Sequence, residues 1–293
     1  MADRVKLIID TDLGDDVDDV FALAMAALSE DLDLIAVTTV HGDTQYRACL
    51  ARMVLDACGA DDVPIYTGSI GPNMTGQMVE TSMAAGLPCV SLPDMQQCHA
   101  IEFLVEHADS NPGETTLCAI GPLTNVGMAV ERDEDFVSNL KKLVIMGGQL
   151  NPSDDGRVGE YNFDSDATAA VRVIESGADM LIGLVESTWH ARFDQEHREQ
   201  LDAQQSHLSS LLLKMFDQYV ESRNRLWTPL YDPITLAAVY RPDLVTIQNE
   251  GLRAWVQDGK VKLDKGSNPA QLVTKVDGVR FVEYMIDLLS LAP

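Results

Sequence analysis

The stretch Val5-Lys6-Leu7-Ile8-Ile9-Asp10-Thr11-Asp12-Leu13-Gly14-Asp15-Asp16-Val17-Asp18-Asp19-Val20-Phe21-Ala22-Leu23 holds three signals in succession. Val5–Ile9 is an apolar run of strand length, and Val20–Leu28 has the length and composition of a helix that opens near Asp18. Between them, six of the ten residues from Asp10 to Asp19 are aspartate. A strand feeding directly into a helix is the unit of a parallel sheet, and such sheets bind ligands at the C-terminal ends of their strands. Two carboxylates about 4 Å apart repel by about 4 kcal/mol at an effective dielectric of about 20. A helix N-terminus offsets only about 0.3–1 kcal/mol per charge, and capping needs one acidic side chain rather than six. A divalent cation answers the crowding better, and an all-oxygen ligand set selects Ca²⁺ or Mg²⁺. An EF-hand does not fit: the cluster follows a strand, and the twelfth residue counted from Asp10 is Phe21 where that loop needs Glu.

Outward from this stretch the same alternation continues. Leu34–Val40, Val63–Tyr66, Thr115–Ile120, Leu143–Met146 and Met180–Val185 read as strands. Tyr46–Ala57, Ala100–Ala108, Leu123–Val130 and Ala167–Glu175 read as helices between them. The pattern predicts an α/β fold with an open, mostly parallel, doubly wound sheet flanked by helices. After Val185 it changes: Leu208–Val220, Pro233–Val239 and Val279–Leu289 are helical, and Ala254–Val256 and Val261–Leu263 form a hairpin around Asp258-Gly259. Met74–Pro93 reads as an irregular insert. With no linker or repeat, residues 1–293 are expected to form a single domain with a decorated C-terminal third.

The formal net charge is −25, which argues against a nucleic-acid polymer as partner, and no polybasic membrane patch is present. Solubility, or adaptation to a salty cytoplasm, accounts for the acidity. No apolar run reaches the ~18 residues of a membrane span, and Met1-Ala2-Asp3-Arg4 does not open a signal peptide, so a cytoplasmic protein is expected. The five cysteines, Cys49, Cys58, Cys89, Cys98 and Cys118, form no CxxC and are expected to be buried free thiols.

The segments quoted so far, with several later ones, resemble the inosine–uridine-preferring nucleoside hydrolases. Besides the Asp10-to-Asp19 turn they are Thr38-Thr39-Val40-His41-Gly42-Asp43, Gly121-Pro122-Leu123-Thr124-Asn125, Met146-Gly147-Gly148 followed by Glu160-Tyr161-Asn162, and Asp232-Pro233. They occur in the family's order from about residue 5 to about residue 240. The resemblance implies Ca²⁺-dependent hydrolysis of the N-glycosidic bond of a small-molecule ribonucleoside, by a homodimer or homotetramer. It implies that Asp12, Asp19, the carbonyl of Thr124 and Asp232 hold the ion. Asp18, Asp43, Met146, Asp154, Glu160 and Asn162 match positions that meet ribose, and Asp10 supports the metal site from behind. The chemistry suits these residues. Glycosidic cleavage builds an oxocarbenium-like cation, which needs a nucleophilic water, a proton acceptor, here Asp12, and negative charge around the sugar.

Two departures stand out. The family's DxDxGxDD is lengthened by two residues, so Asp18-Asp19 is read as the functional pair, with Asp15 and Asp16 outside the ion's immediate ligands. The residue before Asp232 is Tyr231, where one branch of the family carries a histidine acid. Tyr231 is therefore expected to face the nucleobase as proton donor or stacking partner, with Trp227 and Trp189 as further stacking candidates. His41 and His190 lie at strand ends within possible reach of the site. Two alternatives stay open: a haloacid-dehalogenase-like Mg²⁺-dependent phosphatase, against which Gly14 counts, and a non-catalytic calcium-dependent nucleoside or ribose binder. Phosphorolysis is not indicated, because no glycine-rich phosphate cradle or paired basic residues accompany the acidic turn.

Overall fold

A computed structural model describes residues 4–72, 87, 100–151 and 159–293 of the chain. Its frame is a nine-stranded sheet. The strands are β1 (Val5–Thr11), β2 (Leu32–Thr39), β3 (Ile65–Thr67), β4 (Thr115–Ala119), β5 (Lys142–Met146), β6 (Met180–Gly183), β9 (Val245–Gln257), β10 (Lys260–Lys265) and β11 (Asn268–Val276). A two-stranded ribbon, β7 (Arg192–Phe193) with β8 (Thr228–Pro229), stands apart from it. The order is β10-β9-β11-β6-β5-β4-β1-β2-β3. From β3 to β11 every pairing is parallel, and only β9 and β10 run antiparallel to their neighbours.

Strand β1 shows why the sheet is covered on both faces. Leu7 and Ile9 point into one core with the helices α1 (Asp18–Leu28), α2 (Thr44–Ala57), α10 (His207–Arg223), α11 (Tyr231–Tyr240) and α12 (Gly278–Leu289). Ile8 points into the other, with α3 (Ala100–Ser110), α4 (Thr124–Arg132) and α7 (Ala167–Ile174). The period-2 alternation of a strand thus feeds two apolar layers, and the strand reads as a continuous apolar run. Short helices α5 (Phe136–Asn139), α6 (Tyr161–Ser165), α8 (Val185–Thr188) and α9 (Gln195–Asp202) complete the frame.

Strand β1 pairs with β2 on one side and β4 on the other. The chain leaves β1 in one direction along the sheet and later returns in the other, which makes the C-terminal ends of β1 and β4 a topological switch point. The expected hairpin is present and longer than read from sequence; Asp258 (φ 53°) and Gly259 (φ 74°) turn it, the left-handed pair that a type I′ turn requires. Strand β11, absent from the sequence-based expectations, carries a proline near its start and only weak alternation. Its pairing, parallel to β6 and antiparallel to β9, supplies what its own pattern does not.

The cysteines correct one expectation. Cys58 and Cys118 are free and buried, their thiols pushed up to about 12 by burial, but Cys49 is disulfide-bonded. A bridge between cysteines distant in sequence leaves no trace in local spacing. Among the described residues no helix is long and apolar enough to cross a membrane. The Met74–Pro93 insert, apart from Leu87, lies outside the described residues.

Candidate active site

Past the end of β1 the chain turns back under its own hydrogen bonds. The Leu13 amide donates to the Thr11 hydroxyl at 3.0 Å, and that hydroxyl donates to the Asp19 carboxylate. Helix α1 opens with Asp18 and Asp19, both buried. From the far end of the sequence, α11 contributes Asp232, whose amide donates to Asp18 Oδ2 at 3.1 Å. Asp18, Asp19 and Asp232 each present an oxygen within 4.8 Å of the others. Asp12, also buried, adds its charge to those of Asp19 and Asp232.

Burial, reinforced by the neighbouring carboxylates, holds Asp18, Asp19 and Asp232 well above the usual carboxylate range. Asp12 is pushed up to about 8 by burial, against the pull of Arg47. Like charges packed this closely and removed from water are stable only if protonated or if a cation joins them. The donor set is all oxygen, which fits a hard divalent ion. The cluster can therefore hold a metal.

Asp10 lies behind this group. One of its oxygens accepts from Asn125 Nδ2 at 2.7 Å and from the Thr38 hydroxyl, and the other is buried without a partner. Burial raises it to about 7. Asn125, from the Gly121-to-Asn125 turn, also donates to the Thr39 carbonyl at 3.1 Å, tying the ends of β1, β2 and β4 together. Gly121 is needed for the same closeness: a Cβ there would lie 2.8 Å from the Asp12 amide nitrogen.

One buried cation braces the loop. Arg47 of α2 donates to the carbonyls of Asp12, Leu13 and His41 and to Asp15 Oδ2 at 2.7 Å. Its Asp15 partner also accepts from the Tyr161 hydroxyl at 3.3 Å, which meets His41 Nε2 at 3.2 Å. Sequence reading missed Arg47, since a lone arginine in an amphipathic helix looks like any surface residue until the fold buries it.

Above the carboxylates opens a cavity of about 490 Å³. Of the residues expected to act there, Asp12, Asp18, Asp19, Met146, Glu160, Asn162, Tyr231 and Asp232 line it. Glu160 caps α6 and accepts three backbone amides: Asn162 at 2.8 Å, Gly148 at 3.0 Å and Phe163 at 3.0 Å. Asn162 gives its amide nitrogen to the carbonyls of Ile120 at 2.9 Å and Met146 at 3.3 Å, leaving its oxygen for a ligand. Tyr231 is raised above the ordinary phenol range by burial and by Asp18 and Asp16, which makes it a weaker proton donor than a free phenol.

Other expected residues sit elsewhere. Thr124 is not part of the cavity wall. It is the first residue of α4, so its carbonyl points along the helix, and its hydroxyl donates to Asp166 at 2.9 Å. The residue of that turn that does face the cavity is Ile120. Asp43 caps α2, accepting from the Tyr46 amide at 3.0 Å, and does not line the cavity. Trp227 is turned aside, edge-on to Trp189 at 5.2 Å between ring centres and beneath the Arg192 guanidinium at 4.0 Å; Trp189 takes the place in the wall. His190 is exposed, and His41 does not line the cavity but meets Tyr161, which does. Asp154 lies outside the described residues.

Asp16, expected behind the site, lines the cavity beside Tyr219, with which it shares a hydrogen bond. Arg223 and Arg225 line it as well. The expectation that paired basic residues are absent thus fails: the end of α10 delivers Arg223, and the chain just past its Asn224 cap delivers Arg225, across roughly 200 residues of sequence.

Comparisons with known proteins agree with this geometry. The profile of the inosine-uridine preferring nucleoside hydrolases matches residues 7–283. Uridine nucleosidase 1 of Arabidopsis thaliana is 34% identical over 90% of this chain and 85% of its own. The pyrimidine-specific ribonucleoside hydrolase RihA of Citrobacter koseri is 26% identical over 98% of each chain. A plant nucleoside hydrolase of known structure, PpNRh1, superposes with a TM-score of 0.88 at 25% identity, covering 99% of this chain and 100% of that one. Neither the phosphatase nor the non-catalytic binder is favoured by these likenesses. The matches run nearly end to end, and the chain therefore belongs to the inosine-uridine preferring nucleoside hydrolase family, an enzyme that hydrolyses nucleosides.

Proposed function

We propose that the chain cleaves the N-glycosidic bond of ribonucleosides to ribose and free base with the help of a bound calcium ion. The observation that carries this reading is the convergence of Asp18, Asp19 and Asp232, from opposite ends of the sequence, in one buried all-oxygen cluster. Asp12, Asp19, Asp232 and the Ile120 carbonyl are the groups we assign to the ion. Ile120 replaces Thr124 in that set because it is the one that faces the cavity. Bound there, the ion supplies Lewis acidity toward a water molecule and offsets the mutual repulsion of the carboxylates.

The chain's own side chains do the rest. Asp12 accepts the proton that the attacking water loses. Asp18, one oxygen already engaged by the Asp232 amide, offers the other to the ribose hydroxyls. Glu160, held as an acceptor by three amides, and the Asn162 oxygen fix the sugar from the opposite loop and discriminate against sugars lacking those hydroxyls. The negative charge gathered around the ring favours the cation developing at C1′. Trp189 and Tyr231 offer faces for the base. A uridine-like substrate is favoured by the Arabidopsis relative's name.

The test is a reducing-sugar assay over a panel of nucleosides, with calcium and with chelator. Ribose release that disappears with chelator and returns with calcium is expected; release indifferent to chelator, or none from any nucleoside, sinks the proposal. A homodimeric or homotetrameric state and a cytoplasmic location are proposed on the same family grounds. Static light scattering and cell fractionation check them, and a monomeric mass or a membrane-bound fraction would refute them.

A further inference from the structure

The cavity carries positive charge that the hydrolysis described above does not use. Arg223 and Arg225 line it together with Tyr219, Trp189 and Tyr231. The Arg223 guanidinium lies 5.7 Å from the Tyr219 ring, and that of Arg225 lies 5.8 Å from Trp227. Arg192 covers the same Trp227 at 4.0 Å and Trp189 at 5.6 Å. None of these three guanidinium groups makes a direct hydrogen bond or salt bridge to a described residue; the Asp16 carboxylate on the same cavity wall acts on Arg223 and Arg225 through space. Arginines elsewhere behave differently: Arg198 grips Asp217 at 2.7 Å and Arg253 grips Asp264 at 2.8 Å. In a chain with 46 acidic side chains against 21 basic ones, a guanidinium not locked to a carboxylate in a salt bridge is the exception; three gather here, with Asp16, itself bonded to Tyr219, as the acid near Arg223 and Arg225. Aromatic faces orient them without neutralising them.

We propose that Arg223 and Arg225, backed by Arg192 on Trp227, form a site for the nucleobase in its anionic form. The inference rests on the hydrolase reading above and extends it to the leaving group. When the C1′–N bond breaks, both electrons stay on the base nitrogen. The water oxygen forms the new bond to C1′, and its proton goes to Asp12 and from there to solvent. The base leaves as an anion held against the guanidinium groups, and takes a proton from solvent after release. No side-chain acid is consumed, so the histidine that Tyr231 replaces is not required. Among pyrimidines, uridine is then preferred over cytidine, whose free base is the weaker acid.

The test uses the calcium-loaded full chain at low salt. Barbiturate, a planar pyrimidine that is anionic at neutral pH, is compared with neutral uracil by equilibrium binding. Barbiturate is expected to bind tighter by roughly tenfold, about 1.4 kcal/mol. The Arg223→Gln/Arg225→Gln double variant is expected to lose that preference, and the Lys/Lys double variant to keep most of it. The Gln variant is also expected to lose about tenfold or more in kcat on uridine. It should lose much less on p-nitrophenyl riboside, whose leaving group is already a stable anion. Equal binding of barbiturate and uracil by the unaltered protein overturns the inference, as does an equal loss on both substrates. Ribose release without barbiturate preference overturns this inference alone. Barbiturate preference without ribose release from any nucleoside upholds the anion site and overturns the hydrolase reading.

Discussion

The antiparallel extension of the sheet and its central switch point handle acidic residues in opposite ways. In the antiparallel extension, carboxylates near the surface are matched with cations: Asp264 with Arg253 at 2.8 Å, Glu250 with Lys265. At the C-terminal ends of β1 and β4 they are buried, alike in charge, and share one buried cation, Arg47. Exposed pairs contribute little, since water screens them and their side chains lose entropy in pairing. Buried like charges work against folding and persist where the chain gains something other than stability. The contrast teaches that acidity in this protein has two meanings, and that burial rather than composition tells them apart.

Breaking the brace at the buried end is expected to have the largest effect. Arg47→Met strips three carbonyls and Asp15 of their donor and should cost about 3–5 kcal/mol of stability, measured by urea denaturation in chelator. A loss below about 1 kcal/mol would show that the cluster does not lean on Arg47. Asp19→Asn comes next: activity should fall by more than about 10²-fold, the upper range for a residue that only orients a ligand. The metal-free variant should melt higher than the metal-free parent, because one buried charge is gone. An enzyme that keeps its kcat would remove Asp19 from the site.

The metal-free protein should also respond to pH in a defined direction. Asp10 and Asp12 rise from the ordinary 3.8 to about 7 and about 8 in the folded chain. Between 3.8 and those values the native state holds protons that the unfolded state has released, so stability falls as pH rises. Thermal melts from pH 5 to 8 in chelator should therefore show a declining Tm, with calcium restoring most at the upper end. A Tm that climbs with pH in chelator contradicts the assignment. Glu160→Gln should lower kcat/KM by about 10–100-fold, since an amide cannot accept from all three backbone donors; an unchanged value removes Glu160 from sugar recognition. In the antiparallel extension, Arg253→Met should change stability by less than about 0.5 kcal/mol. A larger loss there would erase the contrast.

The order of elements, the parallel sheet and the place of the chemistry were all legible along the chain, because each rests on local signals. Apolar runs of period 2 and 3.6 mark the strands and helices, and the crowding of six aspartates after β1 cannot be reconciled with an ordinary turn. That the helix opens at Asp18-Asp19 was readable too, since sliding the motif from Asp16-Val17 to that pair restores the helix register that follows. What only the tertiary structure decided are the relations between distant segments. These include Arg47 turning inward beneath Asp12, Ile120 rather than Thr124 facing the cavity, and one Asp43 oxygen capping α2. They also include the insertion of β11 and the arrival of Arg223 and Arg225 from the end of α10 and the turn after it. A side chain's type is fixed by sequence, but its direction, its burial and the charges around it are set by which elements pack together, and no local pattern encodes that.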